Sequence, residues 1–433
     1  MKKHLEFMID YNKVNQYYFN IYLNAFKKAK EKIPLLKWNT LYDGWLYEVD
    51  AELEKDLVKD NFIQILLECI KSFLDLRAIY RKLGIPVESL EHMVYNFKKI
   101  YLESLSLIYL HKNFYFTQHD IIFQKGKVRL LHYKIKDTNK SIRIPILIVY
   151  GQINKYNIMD ISFERSVIRN LQSNGFDVYL IDWGYERNKD DNNSLNDYVK
   201  ELKQVVHIIL KENNVDKISL IGYCWGGVIS LIYATLYKHN TNCLVLLATP
   251  IDFSKDKTLL STWAKNMEIE ESIIREYGHL DGSFLDIAFI MRNPHRSLYN
   301  KYFNVKNFEN INLLSNFLAV EKWLYDTRPI PGIYYKEIID NFYKKNLLIS
   351  NRLEINRKTV NLREFDIPVL YAVAQKDDLV SPESTIALSK YISSDEKKIV
   401  EIPGGHVGLI IGSNAHKKVW PEIYDWIKKI NTR

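Results

Sequence analysis

Cys224, Asp377 and His406 are, in chain order, the side-chain types that nucleophilic catalysis requires. Cys224 stands in Gly222-Tyr223-Cys224-Trp225-Gly226, between an apolar run, Ile218 to Ile221, and a helix-like stretch, Val228 to Tyr237. A strand that turns this abruptly into a helix leaves almost no room for side chains two residues before and two after the nucleophile. Gly222 and Gly226 meet that need. A thiol here lies at a helix N-terminus, where the dipole and free N–H groups favour the thiolate. Taken alone, the stretch also fits a buried structural Cys in a glycine-rich turn.

A Cys nucleophile needs a base to take its proton and a group to orient that base. Lys376-Asp377-Asp378-Leu379 follows the apolar run Val369–Val373, and Gly404-Gly405-His406 follows Lys398–Ile402. Each group thus comes at the C-terminal end of its own strand, the rim where ligands bind in open α/β sheets. His406 is the predicted base and Asp377 the predicted acid. Asp378 is the competing carboxylate, since two adjacent carboxylates raise one another's pKa. The oxyanion hole is expected to use the N–H of Trp225. A second N–H is expected from the loop Gln152–Asn154, and Ile153 is assigned to it. The other histidines show no ligand-like spacing, so neither a metal nor a cofactor is predicted.

The elements that must carry these groups alternate. Strands are expected at Val128 to Ile135, Pro145 to Tyr150, Val178 to Ile181 and Cys243 to Leu247, with helices at Phe163 to Gln172 and Leu195 to Leu210. The alternation stops at about 254–360, in Trp- and Tyr-rich helical pieces. It resumes with the Val369 strand, a helix from Pro382 to Tyr391 and a closing helix near Pro421 to Ile430. This is the order of an α/β-hydrolase fold, with a mostly parallel sheet and a long helical lid insertion before the last strands. Residues 1–112 lack strand alternation. They repeat apolar residues at helical spacing, as in Phe62, Leu66, Ile70 and Phe73, and are read as an all-helical N-terminal extension preceding the catalytic domain at 113–433.

The bulk numbers narrow the classes. In 433 residues, 47% hydrophobic and 26% charged is a globular composition. The net charge of +8 is spread without a dense basic block, so no nucleic-acid partner is expected. Three cysteines without paired spacing suit a reducing, cytoplasmic setting. No apolar run approaches the roughly 20 residues of a membrane span, and no signal-peptide core follows Met1-Lys2-Lys3.

Several stretches together resemble the polyhydroxyalkanoate synthases. Gly222-Tyr223-Cys224-Trp225-Gly226-Gly227 looks like their lipase-like box, and Ile153-Asn154-Lys155-Tyr156-Asn157-Ile158-Met159-Asp160 like their Ile-Asn-Lys stretch. Phe176 to Gly184, Thr249 to Phe253, Glu321 to Asp326 and Gly404 to Gly408 also match. The likeness covers roughly residues 120–431 and is nearest to the shorter, two-subunit type. It implies polymerisation of (R)-3-hydroxyacyl-CoA, short-chain 3-hydroxybutyryl-CoA first, into a polyester with release of CoA. Cys224 would carry the growing chain, His406 would deprotonate it, and Asp377 would help activate the incoming 3-hydroxyl. It further implies a homodimer on cytoplasmic polyester granules. Asp378 departs from the family, which commonly has His there. The helix ending in Leu83-Gly84-Ile85-Pro86 resembles part of the companion subunit, so 1–112 is read as companion-like and a separate companion as unnecessary. The rival readings are a Cys-dependent hydrolase, of thioesterase or dienelactone-hydrolase type, and a non-catalytic granule protein.

Overall fold

Strands with apolar residues on both faces must be covered on both sides, and this chain builds one sheet around them. A computed structural model describes residues 117–135, 142–184, 192–266, 278–280 and 327–431, with a few positions between 282 and 324. These lie in one unit, His111–Phe289 with Ser315–Arg433. The helical extension at 1–112, Cys69, and Glu321, Lys322, Tyr325 and Asp326 of the lid stretch fall outside the described residues.

The sheet has eight strands. They are β1 (Asp120–Lys125), β2 (Val128–Tyr133), β3 (Ile146–Val149), β4 (Val178–Asp182), β5 (Ile218–Tyr223), β6 (Thr241–Leu247), β11 (Val369–Ala374) and β12 (Lys397–Ile402). Their order is β1-β2-β4-β3-β5-β6-β11-β12. Between β6 and β11 lie two short ribbons, β7 (His279–Leu280) with β8 (Ile330–Pro331) and β9 (Glu354–Ile355) with β10 (Lys358–Thr359). From β4 to β12 every neighbouring pair in the main sheet is parallel, while β1 and β2 form an antiparallel edge. β3, β4, β5 and β11 are buried at every residue.

Crossover helices cover the sheet. They are α1 (Val167–Ser173), α2 (Leu195–Asn213) and α3 (Trp225–Leu236). α2 shows why its sequence stops and starts where it does. Ser194 and Asp197 form a capping box, worth about 1 kcal/mol, and Asn214 closes the helix in the left-handed region at φ 50°. Leu195, Val199, Leu202, Val206 and Ile209 recur at helical spacing and are buried. The helix expected from Phe163 to Gln172 divides. Residues Phe163–Arg165 form a 3-10 turn, and α1 begins at Val167 because the Ser166 hydroxyl accepts from Arg169 N at 3.0 Å. The lid region supplies α4 (Leu259–Asn266) and α5 (Gly332–Glu337), which runs into a π-helical turn, Ile338–Lys344. After β11 come α6 (Pro382–Ile386), α7 (Gly408–Ile411) and α8 (Trp420–Asn431).

Candidate active site

The nucleophile's position follows from register. Gly222 lies beside Val149 of β3 and Leu246 of β6, and Tyr223 beside Leu247, so β5 ends level with its neighbours. Cys224 follows at φ 53° and ψ −125°, a conformation that side chains rarely adopt. The turn is held by Cys224 N donating to Leu247 O at 2.8 Å, and by Gly227 N donating to Cys224 O at 3.0 Å. The thiol is half-buried, and α3 starts at the next residue.

The glycines around it are required by contact. A Cβ on Gly222 would lie 2.4 Å from Gly227 Cα, and one on Gly226 would lie 2.3 Å from Val149 O. Gly227, which the box pattern includes, would drive a Cβ to 2.0 Å from Thr249 Oγ1. The third helical residue is therefore as constrained as the two that the turn itself demands.

Asp377 and His406 are joined by the loops that follow β11 and β12. Gln375 N donates to Ile402 O and Lys376 N to Gly404 O, each at 2.9 Å, so the two loops leave the sheet together. His406 Nδ1 then lies 2.8 Å from Asp377 Oδ2, with both side chains buried. The other oxygen, Oδ1, accepts from Leu379 N and Val380 N at 2.9 Å each. Both oxygens of Asp377 are engaged, one by His406 and the other by the two amides. Asp378, the next residue, is half-buried and is not the carboxylate on His406.

Burial disfavours charge on His406 most strongly. The Asp377 carboxylate, the Cys224 sulfur and hydrogen bonds to both outweigh it and hold the imidazole pKa up at about 10. With Nδ1 taken by Asp377, the nitrogen left for Cys224 is Nε2. The arrangement can deprotonate a thiol, hold the resulting ion pair, and return a proton to a leaving group. Tyr223 packs its ring 5.1 Å from His406, and its buried hydroxyl is raised well above its usual pKa by burial and then by Cys224 and Asp377.

Two elements meet beside Cys224 where the oxyanion donors are expected. Trp225 N is the first amide of α3, adjoining Cys224. The loop after β3 comes against it at Gly151, where an added Cβ would lie 3.6 Å from Trp225 N and 3.8 Å from Cys224 Cβ. That approach falls two residues before Ile153, whose carbonyl accepts from Arg328 N at 2.7 Å. The loop is braced from the lid region. Asn154 Nδ2 donates to Trp323 O at 3.1 Å and Leu324 O at 3.2 Å, and Trp323 Nε1 donates to Lys155 O at 2.6 Å. The stretches at 153–160 and 321–326, separate in sequence, meet at these bonds.

Aromatic residues that sequence reasoning did not single out wall the site. Phe342 lies 5.0 Å from the Trp225 ring, Phe253 6.1 Å from it, and Tyr343 4.6 Å from Phe253. Tyr334 Oη accepts from Trp225 Nε1 at 2.5 Å. Their Trp- and Tyr-rich setting was the available signal; apart from the Trp225–Phe253 pair, these contacts cross 90 residues or more and leave no local pattern. Among the described residues no group of three or more His, Cys, Asp or Glu side chains is placed to hold a metal ion. No helix among them is long and apolar enough to cross a membrane.

Comparison with known proteins places this geometry. The family model for the alpha/beta hydrolase fold matches residues 144–413, and that for the poly-beta-hydroxybutyrate polymerase (PhaC) N-terminus matches residues 88–171. The second match begins inside the segment 1–112. The chain is 32% identical over 312 residues to the poly(3-hydroxyalkanoate) polymerase subunit PhaC of Thiocystis violacea, covering 72% of this chain and 88% of that one. It is 33% identical over 324 residues to the protein of that name in Synechocystis sp., covering 72% and 85%. To the one in Haloferax mediterranei it is 34% identical over 313 residues, which span 72% of this chain and 63% of the relative's length. Among solved structures, a soluble variant of monoglyceride lipase from Saccharomyces cerevisiae is similar at 14% identity and a TM-score of 0.49, over 72% of this chain and 95% of that one. With an elbow cysteine facing a His–Asp pair on this sheet, and relatives of that name matched along most of their length, the chain belongs to the poly(3-hydroxyalkanoate) polymerase subunit PhaC family, built on an α/β-hydrolase fold.

Proposed function

We propose that the chain polymerises (R)-3-hydroxyacyl-CoA into a polyester through a thioester on Cys224. The observation that carries this reading is a thiol at the elbow beside the His406–Asp377 pair, in a chain whose relatives are named polymerases. A thiolate exchanges readily with a thioester because the two esters are nearly equal in energy. The Cys224 sulfur attacks the thioester carbonyl, the C–S bond to CoA breaks, and CoA leaves with a proton from His406. The 3-hydroxyl of a second acyl-CoA then gives its proton to His406 and attacks the Cys224 thioester; the C–S bond to Cys224 breaks as the ester bond forms, and the freed Cys224 sulfur takes the lengthened chain back from its CoA, which leaves with that proton. Asp377 keeps the imidazole oriented for both transfers. Water competes with the hydroxyl at the second step, and the aromatic wall of Phe253, Phe342 and Tyr343 limits its access.

The acyl unit we assign is short, 3-hydroxybutyryl, and no cofactor beyond the CoA of the substrate is needed. By resemblance we further assign a homodimer working at the surface of cytoplasmic polyester granules, with residues 1–112 standing in for a companion subunit. The test is the purified chain alone with 3-hydroxyacyl-CoA of graded chain length. Insoluble polyester with stoichiometric CoA supports the reading. Free 3-hydroxy acid supports a hydrolase, and activity only after a second protein is added refutes the companion assignment.

A further inference from the structure

Gln152 is 6% exposed, and its Nε2 has no hydrogen-bond partner among the described residues. It is the next residue after Gly151, on which an added Cβ would lie 3.6 Å from Trp225 N and 3.8 Å from Cys224 Cβ. A buried amide without a partner is uncommon in folded proteins and asks for an explanation.

The hydrogen bonds of Tyr334 orient the carboxamide. An indole N–H only donates, so Tyr334 Oη is the acceptor in its 2.5 Å bond with Trp225 Nε1. The Tyr334 hydroxyl in turn donates to Gln152 Oε1 at 3.5 Å, a long but competent contact. In this arrangement the oxygen of Gln152 faces Tyr334, and both Nε2 protons face away from it. Tyr334 itself is fully buried, with its ring 4.4 Å from Tyr198. A rigid relay thus runs from the residue after the nucleophile, through a tyrosine of the lid region, to the loop opposite. It ends in an amide with unused donors.

We propose that Gln152 Nε2 is a side-chain donor of the oxyanion hole, and that Tyr334 is the positioning residue that holds it there. The partner this assigns to Nε2 is the carbonyl oxygen of the thioester at Cys224. When sulfur attacks, the C–S bond forms and the carbonyl π pair moves onto oxygen. That oxygen then accepts from Trp225 N–H and Gln152 Nε2–H. Collapse restores the carbonyl, breaks the bond to the CoA sulfur, and releases the hole. This rests on the reading that Cys224 attacks a thioester, but not on what takes the acyl group afterwards.

The test compares two reactions of the same sulfur. Single-turnover CoA release from 3-hydroxybutyryl-CoA passes through an oxyanion, whereas alkylation of Cys224 by iodoacetamide does not. Gln152→Met keeps the side chain's length without its donor, and Gln152→Leu removes the donor with the polar group. Both are expected to slow CoA release by about 10²–10³-fold while leaving alkylation within about threefold, the range seen when one oxyanion donor is removed. Tyr334→Phe is expected to slow CoA release by about tenfold, through loss of orientation alone. CoA release at the unsubstituted rate in either Gln152 variant overturns the proposal. So does an equal fall in both reactions across all three variants, which marks a general disturbance of the fold or of Cys224. Free acid in place of polyester from the unsubstituted chain refutes the polymerase reading and leaves the Gln152 comparison decisive as it stands. No CoA release from that chain refutes both.

Discussion

Asp377→Asn changes one charge and one donor while keeping the side chain's shape. Oδ1 of Asp377 accepts from two backbone amides at 2.9 Å each, so the asparagine oxygen is held there and its NH2 faces His406. The reverse orientation would set the NH2 against two N–H donors. An NH2 in the place of Oδ2, 2.8 Å from His406 Nδ1, requires that nitrogen to accept. The ring proton then sits on Nε2, the nitrogen facing Cys224, and the base has no lone pair to offer. The matching change in a serine-protease triad lowers kcat by about 10⁴-fold. A thiol ionises more readily than a serine hydroxyl, so a loss of about 10²–10⁴-fold in CoA release is expected, or about 3–5 kcal/mol of barrier. The same substitution alters pH dependence. His406 is raised to about 10, with burial opposing and Asp377 foremost in outweighing it. A raised imidazole pKa stabilises the fold fully below about 6.5, and that stabilisation fades as pH rises through about 10. Removing Asp377 leaves burial dominant, so the fall in melting temperature between those pH values should flatten. The assays are single-turnover CoA release and melting curves across pH, with Asp378→Asn as the comparison, expected within about threefold of the unsubstituted rate because His406 is bonded to Asp377. A full rate in Asp377→Asn, or a larger loss in Asp378→Asn, refutes the assignment.

Cys224→Ala should abolish CoA release and the acyl adduct seen by intact-protein mass spectrometry; retained turnover would remove the catalytic reading altogether. Gly226→Ala drives a Cβ to 2.3 Å from a backbone carbonyl, whereas Gly151→Ala meets nothing nearer than 3.6 Å. The first should lower stability by at least about 1–3 kcal/mol, read as a shift in denaturant midpoint, and the second should leave the midpoint near that of the unsubstituted chain. Arg328 binds the buried carboxylate of Asp182 at 3.4 Å and the Tyr150 hydroxyl at 3.3 Å. Arg328→Ala should lower stability by about 3–5 kcal/mol, measured by urea unfolding; an unchanged midpoint would show that Arg129, also on Asp182, suffices alone.

Much of the site was legible because each group follows a strand that announces itself. Ile218 to Ile221, Val369 to Val373 and Lys398 to Ile402 are strongly patterned runs, and the catalytic types come directly after them in the order the fold requires. The glycines at 222 and 226 were legible for the same reason, since a tight turn has few sequences. Legibility fell where contacts replace pattern. The hairpin strand β1 was not expected, as its exposed edge alternates too weakly; the turn at Gly126, φ 58°, was its local signal. The loop that holds Ile153 takes its path from lid contacts to Asn154 and Lys155, which no local pattern announces. The bond of Tyr334 to Trp225 spans 109 residues and that to Gln152 spans 182, distances at which a single sequence carries no spacing signal.

The most direct measurement is to incubate the purified chain alone with (R)-3-hydroxybutyryl-CoA and follow CoA release and the fate of the acyl group together. The expected result is insoluble polyester, one CoA freed per unit incorporated, and an acyl chain recoverable on Cys224. Release of soluble 3-hydroxybutyrate in step with CoA, without polymer, would contradict it.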